Sequence, residues 1–241
     1  MKIRLNRFIS LCGVVSRRRA DELIQEGRVT VNGEIVEKLG KKIDPYKDVI
    51  EVDGKRVSYK ENFIYIALYK PKDYIVSLKD PYNRPKIIDL LPRLKERIFP
   101  VGRLDYDSEG ILILTNNGEL TNRLTHPRYQ VERVYRVEVK GIPSPEKLEK
   151  LRKGIYLYSK KISPAKIKLV TKKGKNALVE IKLYEGRKRQ IKLMFSAIGH
   201  PVIKLKRISF GGISLKGLKP GEWRYLNKSE VEILKKKAGL F

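Results

Sequence analysis

The sequence predicts an α+β protein: a small helix–helix–hairpin domain, then a larger domain built on a mixed, largely antiparallel sheet flanked by helices. Apolar residues recur at helical spacing near the N-terminus, whereas alternating segments and helical segments intermingle after residue 63. With 241 residues, of which 41% are apolar, the chain can bury one substantial core and one smaller core. We expect two domains, at residues 1–60 and 61–241.

The first domain begins with two predicted helices and a hairpin. The apolar stripes of the helices consist of Leu5, Phe8, Ile9 and Cys12 in the first and Ala20, Leu23 and Ile24 in the second. Ser16 precedes the second stripe and is a favourable N-cap, because its hydroxyl can accept a bond from a free backbone N–H. Val29 and Val31 then alternate with polar residues, and Asn32-Gly33 favours the positive φ angles of a tight turn.

The larger domain follows a predicted linker from Ser58 to Asn62, where apolar periodicity is absent. Strands are predicted where apolar residues alternate or run together, at residues 64–68, 111–114, 134–139 and 178–181. Helices are predicted at residues 145–151 and 190–198, and Asn227 with Glu230 forms an approximate capping box for a last helix. Strands and helices interleaved in this way predict a sheet with helices packed on it.

The chain is strongly basic. Its 54 Lys and Arg residues against 27 Asp and Glu residues give a net charge of +27, more than solubility requires. Residues 1–60 carry 14 basic and 9 acidic side chains, whereas residues 151–241 carry 24 and 5. A heat-adapted surface rich in Lys and Glu would explain many of these charges but not their imbalance. We therefore expect a polyanion as partner, contacted mainly by the C-terminal third.

Signals for export, membrane insertion and disulfide formation are absent from the sequence. The N-terminal residues lack a signal-peptide pattern, and no segment approaches the roughly 20 apolar residues of a membrane span. Cys12 is the only cysteine, so we expect neither an intrachain disulfide nor a zinc cluster. The expected protein is soluble, cytoplasmic and without a membrane partner.

The segment from Gly102 to Gly110 places one arginine and three carboxylates directly before the buried strand predicted at residues 111–114. In such a loop Asp105 could be a catalytic carboxylate held by a rigid strand, or a turn former that bonds its own backbone. Asp107 and Glu109 also allow paired-carboxylate hydrolysis or a metal site. Considered alone, the segment favours the turn-forming role.

A set of short motifs spans residues 2–48. The set comprises Arg4-Leu5-Asn6, Ser16-Arg17-Arg18, Ala20, Ile24, Gly27-Arg28-Val29 and Val31-Asn32-Gly33. With these motifs the segment resembles the RNA-binding module named after ribosomal protein S4. The resemblance implies that Arg17, Arg18 and Arg28 grip structured RNA by its backbone and shape. Without it, an arginine run at a helix start is equally typical of a solvated face.

Four further motifs follow in order along the larger domain. They are Lys70-Pro71-Lys72 with Tyr74, Gly102-Arg103-Leu104-Asp105 with Gly110, Tyr135-Arg136-Val137, and Glu185-Gly186-Arg187 with Gln190-Ile191-Lys192. With these motifs, residues 63–226 resemble the pseudouridine synthases that modify ribosomal RNA, in the branch that joins an S4-type module to the catalytic domain. Four motifs in order are more specific than any one of them.

The resemblance implies roles for individual residues. It makes Asp105 the catalytic aspartate, Tyr135 the active-site tyrosine and Lys192 the basic residue that pairs with the aspartate. It also implies that Arg103 fills the space left by a flipped base and that Arg187 contacts RNA. A Lys192 ammonium would favour the ionised form of Asp105.

The implied reaction moves the ribose bond of uracil from nitrogen to carbon. Because this isomerisation is redox neutral, we expect no cofactor and no metal. Asp105 could attack the substrate as a nucleophile or remove a sugar proton to give a glycal, and both routes require its ionised form. The rival two-carboxylate chemistries leave Tyr135 and Lys192 without a role.

The implied substrate is ribosomal RNA or a ribosomal subunit precursor. Residues 116–129 look more like the enzymes acting on large-subunit (23S) RNA, so we expect that substrate, with small-subunit (16S) RNA as the alternative. A non-catalytic RNA-binding assembly factor is the second hypothesis. We expect a monomer.

Overall fold

The computed structural model describes residues 2–58, 62–78, 80–157 and 160–240, without the side chain of Lys160. Residues 59–61 of the predicted linker lie outside this part of the chain. Contacts divide the chain into two compact units. The first unit comprises Met1–Ile64, Leu94–Ile98 and Asn116–Gly118, and the second comprises Tyr65–Arg93, Phe99–Thr115 and Glu119–Phe241.

Among its described residues the first unit contains two helices and six short strands. Its elements are β1 (Ile3–Arg4), α1 (Leu5–Leu11), α2 (Arg17–Gln25), β2 (Val29–Val31), β3 (Glu34–Ile35), β4 (Lys42–Ile43), β5 (Ile50–Val52) and β6 (Lys55–Val57). Four strands form an antiparallel sheet in the order β3-β2-β5-β6, and β1 pairs with β4. The predicted helix–helix–hairpin order is confirmed.

Local chemistry accounts for the ends of these elements. The Ser16 side chain accepts a hydrogen bond from the Arg19 N–H at 3.2 Å and so caps α2. Asn32 and Gly33 adopt φ angles of 55° and 84°, which turn β2 into β3. The apolar stripes of both helices pack with the sheet into one core, which includes Leu5, Phe8, Ile9, Ala20, Leu23, Ile24, Val29 and Ile50.

The second unit contains four helices and eleven strands among its described residues. Its strands are β7 (Tyr65–Lys70), β8 (Phe99–Pro100), β9 (Glu109–Thr115), β10 (Arg133–Lys140), β11 (Tyr156–Leu157), β12 (Lys160–Lys161), β13 (Lys166–Lys173), β14 (Asn176–Leu183), β15 (Val202–Phe210), β16 (Ile213–Ser214) and β17 (Trp223–Tyr225). Its helices are α3 (Gly118–Thr125), α4 (Pro145–Lys153), α5 (Gln190–Ala197) and α6 (Lys228–Lys237).

One large sheet organises the second unit. Its main order is β13-β14-β10-β15-β9-β7-β17, and β16 and β8 pair with β15 and β9. The pair β15–β9 is parallel and the other pairs are antiparallel, which confirms the predicted mixed, largely antiparallel sheet. Helices α4 and α5 pack on the core around β10, β13 and β14, while α3 and α6 pack on the core around β7 and β9.

The parallel junction between β9 and β15 depends on Gly110. Gly110 lies opposite Arg207, and a Cβ atom at this position would stand 2.2 Å from the Arg207 carbonyl oxygen. Its φ of 122° also lies in the region that favours glycine. Only glycine therefore lets the two strands approach this closely, directly after the loop that carries Asp105.

Two helices of the second unit, α4 and α6, begin at side-chain caps, and the cap of α6 is the predicted one. The Ser144 hydroxyl accepts a bond from the Lys147 N–H at 3.4 Å, and Asn227 and Glu230 form a reciprocal capping box at α6. In the described part of the chain no helix is both long and apolar enough to cross a membrane.

Candidate active site

The loop at residues 101–108 is held by the buried ammonium group of Lys70. Lys70 is the last residue of β7 and has no exposed surface. Its Nζ donates hydrogen bonds to the carbonyl oxygens of Pro71 at 2.8 Å, Tyr106 at 3.3 Å and Ser108 at 2.8 Å. Since two of these acceptors belong to the loop, the lysine fixes the backbone on the C-terminal side of Asp105.

Backbone bonds complete the conformation of this loop. The Ser108 N–H donates to the Asp105 carbonyl oxygen at 3.1 Å, and the Asp73 N–H donates to the Tyr106 carbonyl oxygen at 2.9 Å. The Asp105 side chain remains 39% exposed, so its carboxylate is open to an incoming molecule. The loop thus combines a rigid backbone with an accessible carboxylate.

Burial lowers the pKa of Lys70 to about 8, although the nearby carboxylates Asp73, Asp107 and Asp105 act in the opposite direction. At neutral pH most Lys70 side chains therefore carry a proton, and they lose it as the pH rises through about 8. Three N–H donors meet three carbonyl oxygens only while the group is protonated, because a neutral amine has two N–H bonds.

Lys192 lies between two carboxylates of the loop. Its Nζ donates to both oxygens of Asp107 and stands 3.9 Å from the nearer oxygen of Asp105. Partial burial raises the pKa of Asp107, but the hydrogen bond and charge of Lys192 outweigh it and leave that pKa below its ordinary value. The family resemblance pairs Lys192 with Asp105, whereas the shorter contact is made with Asp107.

A buried network shapes the segment that leads into α5 and hence to Lys192. The Glu185 carboxylate accepts bonds from the Gln190 side chain at 2.9 Å, the Ser163 N–H at 3.2 Å and the Arg187 Nε at 3.3 Å. The Gln190 side-chain oxygen accepts in turn from the Arg187 N–H at 3.0 Å. Because Glu185 and Gln190 are buried, these bonds set the start of the helix.

Tyr135 contributes to a cavity beside this loop. The residue lies in β10, opposite Ile181 on β14 and Arg207 on β15, and is only 8% exposed. The cavity has a volume of about 300 Å³, and Asp105 and Tyr135 both line it. Such a space accommodates one planar base.

Two buried guanidinium groups line the same cavity. Arg133 donates to the backbone carbonyl oxygens of Val131, Tyr184 and Leu124 at 3.0–3.4 Å. Burial lowers its pKa, Tyr135 partly opposes this, and the charge of Arg207 lowers it further. The Arg207 Nε donates to the Ile111 carbonyl oxygen at 2.8 Å.

The structure divides the predicted RNA-contacting arginines into two groups. Arg103 is exposed and lines the cavity together with Arg187, whose side chain is 43% exposed and bonded to Glu185. Arg17 and Arg18 are exposed on the first turn of α2, in the first unit.

Arg28, the remaining predicted contact, also belongs to the first unit. Its guanidinium bonds the carboxylate of Asp53 at 2.6 and 2.9 Å and that of Glu26 at 3.0 Å. Among the predicted arginines of this unit, Arg28 is thus the one whose charge is already balanced by carboxylates.

Three buried basic residues of the site received no role from the sequence: Lys70, Arg133 and Arg207. Lys70 follows an apolar run, and Arg133 and Arg207 stand in alternating segments at positions where an apolar residue fits equally well. A basic residue at an inward position of a strand is the signal that could have identified them, since burial of an unpaired charge is costly.

Comparison with known families accounts for both units. A family described as RNA pseudouridylate synthase matches residues 64–197. The chain belongs to this family. The S4 domain family matches residues 3–49, so the synthase carries an S4 domain at its N-terminus.

Individual relatives agree along the whole chain. An "uncharacterized RNA pseudouridine synthase" of Aquifex aeolicus (strain VF5) is 48% identical over 241 residues, covering 100% of this chain and 96% of the relative. The "ribosomal large subunit pseudouridine synthase B" of Bacillus subtilis (strain 168) is 45% identical, covering 96% and 95%. A crystal structure of a pseudouridylate synthase superposes with a TM-score of 0.71 at 29% identity, covering 96% and 99%.

Replacing Lys70 tests the support of the Asp105 loop. We expect Lys70→Met to lower the single-turnover rate of uridine isomerisation by about 10²-fold, the effect of a displacement near 1 Å. The reason is that the Tyr106 and Ser108 carbonyl groups lose their common donor. RNA affinity, measured by filter binding, should change less than about twofold, since Lys70 is fully buried. An unchanged rate would contradict the supporting role.

The unfolding free energy, measured against pH, is the control that shows whether Lys70 is buried with its charge. Native Lys70 releases its proton near pH 8, whereas the unfolded chain keeps it to about pH 10.4. The unfolded state binds more protons between these values, so this group makes the unfolding free energy rise with pH. In urea unfolding, the wild-type slope should exceed that of Lys70→Met by up to about 1.4 kcal/mol per pH unit. Equal slopes would show that Lys70 titrates normally.

Proposed function

We propose that the enzyme converts a specific uridine of large-subunit (23S) ribosomal RNA to pseudouridine, with Asp105 as the catalytic carboxylate. The observation that carries the proposal is the meeting of Asp105, Tyr135 and a base-sized cavity in one place, beside a loop that Lys70 holds rigid. Family membership supplies the reaction class. The position of the groups around the cavity supports the roles proposed for them.

The accessible carboxylate of Asp105 suits either route of the reaction. As a nucleophile it attacks the ribose carbon that carries uracil, and as a base it removes a sugar proton to give a glycal. Both routes use the ionised form. The Lys192 ammonium stands 3.9 Å from the Asp105 carboxylate, and its direct hydrogen bonds go to Asp107.

Tyr135 and Arg103 complete the proposed handling of the base. The ring of Tyr135 lines the cavity and offers a face on which uracil can stack. The exposed side chain of Arg103, two residues before Asp105, is suited to occupy the space that the uridine leaves in the RNA stack. Extruding the base from the RNA stack costs about a few kcal/mol, and insertion of the Arg103 side chain offsets part of this cost.

The proposed substrate rests on similarity and on charge. The Bacillus subtilis relative whose name specifies the ribosomal large subunit is 45% identical over nearly the whole chain. The net charge of +27 and the S4 domain suit a large structured RNA. We propose that Arg17, Arg18 and Arg28 act in the first unit and Arg187 in the second as phosphate contacts. We further propose a cytoplasmic monomer that uses no metal or cofactor.

Exchanging the two neighbouring carboxylates tests the proposed catalytic residue. Asp105→Asn should lower pseudouridine formation by about 10⁴-fold or to below detection, because the amide can neither attack nor accept a proton. The assay incubates unmodified 23S and 16S RNA with enzyme and maps pseudouridine by chemical labelling and primer extension. RNA affinity of the variant should remain near that of the wild type.

Asp107→Asn is the matched control, since it removes the same charge two residues away and frees Lys192 for Asp105. We expect this variant to keep at least about a tenth of the activity. Loss of activity in Asp107→Asn but not in Asp105→Asn would transfer the catalytic role to Asp107. Pseudouridine found only in 16S RNA would make 16S RNA the substrate in place of 23S RNA. Tight RNA binding without any pseudouridine formed would favour a non-catalytic assembly factor.

Arginine substitutions in the S4 domain test its share of RNA binding. Replacing both Arg17 and Arg18 by Ala should weaken binding and reduce the slope of log K against log salt by about 1 to 2, because phosphate contacts release counterions. Arg28→Ala tests the third proposed contact and should reduce the slope by less, since the charge of Arg28 is already shared with Asp53 and Glu26. An unchanged slope in the double variant would remove Arg17 and Arg18 from the interface.

A further inference from the structure

Arg207 carries a buried hydrogen-bond donor that the protein itself does not use. The residue is 2% exposed, and its Nε is satisfied by the Ile111 carbonyl oxygen. Its Nη2 is buried and has no hydrogen-bond partner in the described part of the chain. Leaving a charged donor unpaired in the interior costs free energy, so its retention beside a cavity calls for a function.

The charge of Arg207 is also unbalanced. Within the described residues neither Arg207 nor Arg133 forms an ion pair with a carboxylate. Both guanidinium groups lie about 5 Å from the centre of the Phe210 ring. The three carbonyl bonds of Arg133 satisfy donors without neutralising charge. Two positive charges therefore lie in one wall of the cavity, where they would stabilise negative charge that develops on a bound ligand.

A β-bulge directs Arg207 to this wall. On β15 the residues opposite Val134 and Tyr135 are Ser209 and Arg207, so Ile208 is the extra residue. In a regular strand Arg207 and Phe210, three positions apart, would point to opposite faces of the sheet. The bulge puts both on one face, with Arg207 directly across from Tyr135.

The chemistry of the proposed reaction supplies an electron-rich group at this position. When the bond from ribose C1′ to uracil N1 breaks, its electron pair leaves with the base, and the resulting negative charge spreads over O2 and O4. The same anion then turns and forms the C5–C1′ bond. On the nucleophilic route the bond from Asp105 to C1′ breaks in this step, and on the glycal route the proton taken from the sugar returns to it. The C5 proton is then lost and N1 gains a proton, so uridine and pseudouridine have the same composition. The developing charge exists on both the nucleophilic and the glycal route.

We propose that Arg207 stabilises the uracil anion as it leaves the ribose, with Arg133 adding its charge from the same wall. This inference rests on the proposed function. A backbone phosphate is the less favoured ligand, because Arg207 is deep in the sheet while the exposed Arg103 and Arg187 are better placed for the flanking phosphates. Preorganised donors of this kind act mainly on the transition state, so they affect the rate more than the affinity.

Arg207→Met tests the inference through the identity of the leaving base. Single-turnover rates are measured for a short RNA containing the mapped target uridine and for the same RNA with 5-fluorouridine there. Fluorine withdraws electrons and makes the base a better leaving group. Because fluorine cannot leave as the C5 proton does, consumption of the nucleoside is followed by mass spectrometry.

With uridine we expect Arg207→Met to be about 10²- to 10³-fold slower than the wild type, as for loss of one charge-stabilising donor. With 5-fluorouridine the slowing should be at least about fivefold smaller, since a better leaving group needs less stabilisation. Arg207→Lys, which keeps a positive charge, should recover part of the rate with uridine. The exposed Lys204 on the same strand gives the control Lys204→Met, which should behave as wild type on both RNAs.

The comparison of two RNAs uses one preparation of each variant, so a reduced folded fraction cancels from the ratio. Equal slowing on both RNAs would overturn the inference, and so would slowing of less than about threefold on uridine. A weaker affinity with an unchanged ratio would make Arg207 a phosphate contact and would also overturn it. Failure of the wild type to consume either nucleoside would instead overturn the proposed function.

Discussion

The buried Lys70 ammonium is the interaction on which the geometry of the site depends. Its three N–H groups meet carbonyl oxygens of Pro71, Tyr106 and Ser108, so the end of β7 and the loop carrying Asp105 become one rigid piece. Neighbouring carboxylates favour the charge and burial opposes it. The lysine thus supports the loop by hydrogen bonds and also places a positive charge near the carboxylate that we propose as catalytic.

The second constraint is the close parallel approach of β9 and β15. Gly110 allows this approach, and the bulge at Ile208 then turns Arg207 toward Tyr135. As a result the cavity has an acidic wall and a basic wall. The loop that carries Asp105 forms the acidic wall, and the buried guanidinium groups of Arg133 and Arg207 form the basic wall. Separation of opposite charges across a base-sized space is suited to a reaction in which one side attacks or takes a proton and the other receives electrons.

Much of this architecture could be predicted from sequence because it is encoded locally. The stripe of α2, its Ser16 cap and the Asn32-Gly33 turn each depend on residues a few positions apart. The parallel β9–β15 pair joins residues almost a hundred positions apart, and the contact of Lys192 with Asp107 depends on how α5 meets the loop. Such placements follow from tertiary packing, which a single sequence does not express in its periodicity.

In the proposed reaction the target base enters the cavity beside Asp105. Photo-crosslinking can locate the base: an RNA carrying 4-thiouridine at the modified position is bound to Asp105→Asn enzyme, which we expect to bind the substrate without converting it. We expect mass spectrometry to find the crosslink on the peptide containing Tyr135 or on residues 101–108. Crosslinks confined to the S4 domain, with RNA fully bound, would contradict this expectation.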